Sequence, residues 1–167
     1  MNDKLDVSFV IALRDPTKLL YDTFYSIIGL GLERFEVIIQ CCSDDNGILS
    51  DLVSEMSKNK VTLRIELESD SGPYDAMNRG IRKAQGDWIM ILGEGDKVLT
   101  NSIFHKAKTT DKSVLYGRTL FYSDDRSFVD KIGVKISWLK GQYFCHQSSL
   151  VRRSCYENYG YFDLKYR

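Results

Sequence analysis

Three runs of almost unbroken apolar residues constrain this chain more than any other feature: "VSFVIAL" at 7–13, "FEVIIQ" at 35–40 and "DWIMIL" at 87–92. A strand with one wet face alternates apolar and polar residues. A strand that does not alternate is covered on both faces, the condition of a parallel sheet between two layers of helices. "VTLRIEL" at 61–67 adds a further strand. Segments of helical period separate these runs. A helix is predicted near Pro16 to Leu30, with Pro16 suited to its first turn and Leu19, Leu20, Thr23, Phe24, Ile27 and Ile28 along one face. "GILSDLVSEMSK" places Ile48, Leu52, Val53 and Met56 on one side. From Pro73 a third helix carries Tyr74, Met77, Ile81 and Ala84 on its apolar stripe, with Asp75, Asn78, Arg79 and Arg82 opposite. Strand and helix alternate through residue 96, which predicts an α/β fold with a mainly parallel sheet.

The pattern then changes. A short helix is expected near 101–108, followed by "SVLYGRTLFY", the turn "SDDRS" and "FVDKIGV", which read as an antiparallel hairpin. "CHQSSLVRRSCYENYG" reads as a strand running into a short helix. A length of 167 residues suits one domain, and no low-complexity linker interrupts it. The expected organisation is a single domain, 1–167, with an α/β half at 1–98 and an α+β half at 99–167.

Charge and composition exclude several classes. Lys plus Arg and Asp plus Glu both number 23, which argues against nucleic-acid binding through a broad basic surface. No stretch approaches the roughly 18 apolar residues of a membrane span, and Asp3 and Asp6 do not suit a signal peptide. A cytoplasmic protein is expected, with peripheral docking on the inner face of the membrane left open. Cys41, Cys42, Cys145 and Cys155 form no C-x-x-C pair and are expected as reduced thiols.

The chemistry points to strand ends. In open α/β sheets, ligands bind beyond the carboxyl ends of the strands, near the point where strand order reverses. "GEGD" brings Glu94 and Asp96 to that edge after "DWIMIL". Asp44 and Asp45 follow the second strand, and Arg14 and Asp15 the first. Hard oxygen ligands of this kind suit Mg²⁺ or Mn²⁺, which take one or two protein carboxylates and complete their shell with phosphate and water. Gly93 and Gly95 would let the backbone approach a diphosphate. A solvated acidic turn is the competing reading of the same residues.

"DVSFVIALRD", "FEVIIQ…SDDNG", "SDSGPYDAMNRGIRKAQGDWIMILGEGD" and "CHQSSLVRRSCYENYGYFD" follow one another as in family-2 glycosyltransferases of the GT-A fold, which the chain resembles over nearly its whole length. The resemblance is closest to the bacterial branch that builds capsule, exopolysaccharide and lipopolysaccharide. It implies a nucleotide-sugar-binding half at 1–98 and an acceptor-side half at 99–167, with helices on both faces of the sheet and a small antiparallel acceptor-side portion. "GEGD" falls at the acidic loop that binds a divalent ion and the ribose of a nucleotide-diphosphate sugar. Asp96 matches its last acid and is the implied ligand of Mn²⁺ or Mg²⁺, with Glu94 displaced from the usual acidic positions and a second metal candidate. Ala12, Arg14 and the Asp44–Asp45 turn match the part that cradles the base. Where many relatives carry a uracil-recognising aspartate, this chain has Cys41 or Cys42. Asp75 and Asn78 match the polar side of the helix bordering the donor pocket, and capping that helix is the plainer role for Asp75. His146 and Gln147 match an acceptor-side pair. Arg152 and Arg153 are open to diphosphate or lipid-phosphate contact, or to solvation at a helix start.

The implied reaction is inverting transfer from a nucleotide-diphosphate sugar to a polysaccharide or lipid-linked acceptor, with no nucleic-acid partner. An acceptor hydroxyl displaces the diphosphate and needs a base. In relatives that base follows a "G-x-FD" stretch, here "GYFDLKYR", so it is expected beyond Arg167, with Asp163 structural and His146 the first internal candidate. The rival from another class is a non-catalytic nucleotide-sugar-binding or assembly module. A sugar nucleotidyltransferase would need a glycine-rich basic loop after the first strand, and "ALRDPTK" has no glycine.

Overall fold

The computed structural model describes residues 6–43, 47–59, 61–123, 126–129 and 145–166. Asp44 and Asp45, expected near the nucleotide, lie outside the described residues. The order of elements is β1 (Val7–Leu13), α1 (Leu19–Ile28), β2 (Phe35–Cys41), α2 (Ile48–Asn59), β3 (Thr62–Leu67), α3 (Pro73–Lys83) and β4 (Trp88–Leu92). Then come α4 (Ser102–Ala107), β5 (Val114–Tyr116), β6 (Leu120–Ser123), β7 (Arg126–Val129), a 3₁₀ turn at His146–Ser148, β8 (Ser149–Arg152) and α5 (Arg153–Tyr159).

Six strands form one sheet in the order β3-β2-β1-β4-β8-β5. The first four run parallel, with Val7 of β1 in register with Phe35 and Trp88 on either side. β8 joins antiparallel to β4, and β5 antiparallel to β8. The apolar runs make sense in this setting. Phe9, Ile11, Val37, Ile39, Met90 and Leu92 pack into one layer with Leu20, Phe24, Ile27, Leu52 and Met56 from α1 and α2. Val10, Ile38, Ile89 and Ile91 face the other way, onto Ile81 of α3. Helices therefore cover both faces, which is why alternation disappears. Glycine permits the second contact: a Cβ on Gly80 would lie 2.4 Å from Cγ1 of Val10, so only a bare backbone lets α3 approach β1 so closely.

One buried polar cluster ties the sheet to the loop after α3. Glu36 is fully buried, and its Oε1 accepts the Ser8 hydroxyl at 2.6 Å and the Gln85 N–H at 2.7 Å. Gly86 N–H donates to the Ser8 oxygen at 2.8 Å. The other carboxylate oxygen of Glu36 has no partner among the described residues.

Four expectations change. The first helix begins at Leu19, not Pro16, after Thr17 Oγ1 accepts the Leu19 N–H at 3.2 Å. Leu19 and Val53 are exposed, because each falls at the edge of its helix's apolar stripe. Val114–Tyr116 does not enter a hairpin with the segment after "SDDRS"; it pairs with β8 in the main sheet, and the hairpin is β6 with β7. Asn78 is not on a wet stripe but 2% exposed, because the carboxyl-terminal segment covers that side of α3. Its Nδ2 donates to the Phe162 carbonyl at 2.8 Å and its Oδ1 accepts the Phe162 N–H at 2.9 Å. The Phe162 ring stacks on Tyr74 at 5.4 Å, and Arg82 lies over the Tyr161 ring at 4.5 Å. Among the described residues, no helix is long and apolar enough to cross a membrane.

Candidate functional site

Strand order reverses at β1, whose neighbours are β2 on one side and β4 on the other. The carboxyl ends of these strands define the crevice in which an open α/β sheet binds its ligand. Two cavities open there. The first, about 420 Å³, is lined by Ala12, Arg14, Cys42, Asp70, Gly72 and Ala76, among others, at the ends of β1 and β2 and the first turn of α3. The second, about 390 Å³, is lined by Asp96, Lys97, Arg118, Gln147 and Ser148 together with the apolar Met90 and Leu92. A larger cavity of about 510 Å³ lies at the opposite end of the sheet, against Val7 and Trp88 where β1 and β4 begin. Position decides over size, because the amino ends of parallel strands carry no switch-point crevice.

"GEGD" folds as a tight turn. Asp96 N–H donates to the Gly93 carbonyl at 3.2 Å, and Gly95 takes a φ of 87°, the left-handed value that a type II turn demands at its third residue. The turn is braced: Gly93 N–H donates to Asp96 Oδ2 at 2.7 Å, and Gly95 N–H to the Thr23 hydroxyl at 2.8 Å. The other Asp96 oxygen has no protein partner among the described residues. Glu94 is used differently. Its Oε1 accepts the Thr17 N–H and so ties the turn to the loop after β1.

The structure brings several expected residues together and separates others. Ala12 and Arg14 line the first cavity; Asp96 and Gln147 line the second. His146 sits beside them: burial holds its imidazole below the ordinary value, against the upward pull of the Asp96 carboxylate. Gln147 Oε1 accepts the Cys145 thiol at 2.9 Å. Asp75 caps α3. Its Oδ2 accepts the Ser71 N–H at 3.0 Å and an Arg79 N–H at 3.1 Å, and these bonds, the Ser71 amide foremost, lower its pKa. Asn78 is committed to Phe162, as described above. Arg152 and Arg153 lie at the wrong end for a diphosphate. Arg152 pairs in register with Trp88, stacks on its ring at 4.4 Å and donates to the Lys112 carbonyl at 3.0 Å. Arg153 donates to the Gly86 carbonyl at 3.2 Å.

Asp70 and Arg118 line the crevice without having stood out in the sequence, and Cys42, one of the two cysteines noted after the second strand, lines it as well. Asp70 was visible as the acid of "SDSG" two residues ahead of the α3 cap, where its Oδ1 accepts the Gly72 N–H at 2.9 Å. Arg118 carried no local signal. For a divalent ion, the described residues supply Asp96 and no group of three His, Cys, Asp or Glu side chains. One carboxylate oxygen beside a crevice fits an ion that takes most of its ligands from phosphate and water.

The sheet order and the crevice at its switch point define an α/β protein of GT-A fold. The family model described as "Glycosyl transferase family 2" matches residues 8–159. The chain belongs to that family. A "PGL/p-HBAD biosynthesis glycosyltransferase" of Mycobacterium tuberculosis (strain ATCC 25177 / H37Ra) is 27% identical over 110 residues, covering 63% of this chain and 43% of the relative. A "Poly-beta-1,6-N-acetyl-D-glucosamine synthase" of Staphylococcus aureus (strain N315) is 28% identical over 92 residues, covering 54% of this chain and 22% of the relative. This chain thus spans less than half the length of these curated relatives. Among solved structures, S. aureus TarS 1–349 in complex with UDP-GlcNAc superposes with a TM-score of 0.72 at 17% identity, covering 95% of this chain and 49% of that one. The mannosyltransferase PcManGT from Pyrobaculum calidifontis, in complex with GDP-Man and Mn²⁺, gives 0.69 at 14% identity, covering 96% and 48%.

Proposed function

We propose that this chain binds a nucleotide-diphosphate sugar across the crevice and transfers the sugar, with inversion, to a sugar or lipid-linked acceptor of a bacterial surface polysaccharide. The observation that carries the reading is Asp96, held by its own turn after β4 on the wall of the second cavity. The base and ribose would occupy the cavity at Ala12, Arg14 and Asp70, and the sugar and acceptor the cavity at Gln147 and Arg118. The nucleotide-sugar complexes of the two structural neighbours support this class of donor. Asp96, with Glu94 as the weaker candidate, would hold Mn²⁺ or Mg²⁺; when bound, the ion supplies charge stabilisation to the leaving diphosphate. His146, whose pKa burial lowers, is the group within the described residues that this reading assigns to accept the proton of the acceptor hydroxyl. Such a protein would work in the cytoplasm, at the inner face of the membrane where lipid-linked acceptors are presented.

Calorimetric titration with UDP- and GDP-sugars, with and without Mn²⁺, tests the proposal. Metal-dependent binding is expected, and Asp96→Ala should abolish it. Unchanged affinity in that variant removes Asp96 from the metal site. A transfer assay over candidate acceptors then separates an enzyme from a module that only binds the donor.

A further inference from the structure

We infer that the side-chain amide of Gln40 contacts the nucleobase from beneath the cavity at the ends of β1 and β2, making Gln40 a specificity-determining residue; this rests on the nucleotide-sugar reading above. Gln40 is in register with Ala12 of β1 and Glu66 of β3. Side chains alternate along a strand. Ile39 and Cys41 belong to the layer of α1 and α2, and Ile38 to the layer of α3, so Gln40 faces α3 with Ile38. Ala12 beside it, Cys42 two residues further on, and Ala76 of α3 all line the cavity.

Gln40 is fully buried, and neither Nε2 nor Oε1 has a hydrogen-bond partner among the described residues. Its polar neighbours are committed elsewhere. Glu66 pairs with Lys83 at 2.9 Å, and the Cys41 thiol donates to the Arg14 carbonyl at 3.3 Å. Ser8 and Glu36, the other buried polar side chains of this layer on β1 and β2, bond one another at the far end of the strands. A buried amide without partners disfavours the folded state, and an apolar side chain of the same shape would not. A group retained against its own stability is explained by a ligand that pairs with it.

The chemistry of the amide identifies the class of ligand. It offers an N–H donor and a carbonyl acceptor side by side, the complement of the donor–acceptor edge of a nucleobase. A base lying against Ala12 and Cys42 would cover it. Gln40 lies sealed beneath the lining of the cavity, so the contact requires its side chain to change rotamer towards Ala12 and Cys42 as the base arrives. Sugar or diphosphate bound near Asp96 would not reach it.

The test uses Gln40→Met, which keeps the length and removes both polar atoms. Two measurements are made: thermal melting without ligand, and calorimetric titration with UDP and GDP in Mn²⁺. Inorganic pyrophosphate with Mn²⁺ serves as the base-free probe. The expected variant melts about 2–4 °C higher than the wild type. It binds at least one nucleoside diphosphate about tenfold more weakly, as loss of one buried polar contact requires, and binds pyrophosphate unchanged. A variant that melts lower or fails to fold, with wild-type nucleotide affinity wherever binding is measurable, makes the amide a structural group and overturns the inference. Equal loss of nucleotide and pyrophosphate binding also overturns it, since the effect would not be confined to the base. If the wild type binds neither probe, the nucleotide-sugar reading itself falls, and this assignment with it.

Discussion

One oxygen of Asp96 is bonded to the amide of its own turn, so the carboxylate is oriented before any ligand arrives. That pre-organisation distinguishes it from Glu94, whose carboxylate anchors the loop after β1. Beside it, burial lowers the pKa of His146 against the upward pull of the Asp96 carboxylate. His146→Gln is therefore expected to leave donor affinity within about twofold while kcat/KM for transfer falls by about 100-fold or more, the usual range for a lost general base. Transfer assayed alongside donor titration checks this, and undiminished kcat/KM would place the base on another residue. The acids after β4 were legible because an apolar strand seldom ends in two carboxylates without cause. Gln40 was not, because a polar residue in a strand otherwise reads as a wet position, and only the three-dimensional layer shows it sealed.

At the scale of elements, α3 does most to shape the crevice. Its first turn walls the cavity at the ends of β1 and β2 with Gly72, Pro73 and Ala76, and Asp75 locks that turn to Ser71 and Arg79. Because the folded-state pKa of Asp75 is depressed, its contribution to stability is fully present above the unfolded value near 4 and fades as pH falls through the folded value. Urea denaturation over a pH series should show wild type more stable than Asp75→Asn by about 1 kcal/mol above pH 5. The difference should shrink below pH 4; a pH-independent gap would remove the carboxylate from the account. Element types were readable wherever burial imposed a pattern, an unbroken apolar run in β1, β2 and β4 and a helical period in α3. β5 was misassigned because its partner β8 lies more than 30 residues along the chain, and three residues of strand carry no record of which edge they join.

For the whole molecule, the second layer is closed by the segment after α5 as well as by α3. Phe162 fills the gap between Tyr74 and Tyr156, and Asn78 binds its backbone in both directions. The helical period placed Asn78 opposite the apolar stripe, and nothing local could show that distant residues would cover it. Asn78→Ala leaves the Phe162 N–H and carbonyl without that partner and is expected to destabilise the fold by about 2 kcal/mol. Hydrogen exchange should show the Phe162 amide losing protection ahead of the sheet amides, as the segment opens locally. Retained protection at Phe162 would mean that ring packing alone holds it.

Tyr161 meets Arg82 late in α3 and the Phe162 ring meets Tyr74 in its first turn, so two adjacent side chains brace the helix along its length. A probe attached at Tyr161 or Phe162 would therefore sense both ends of α3, and the first turn of that helix walls the cavity at the ends of β1 and β2.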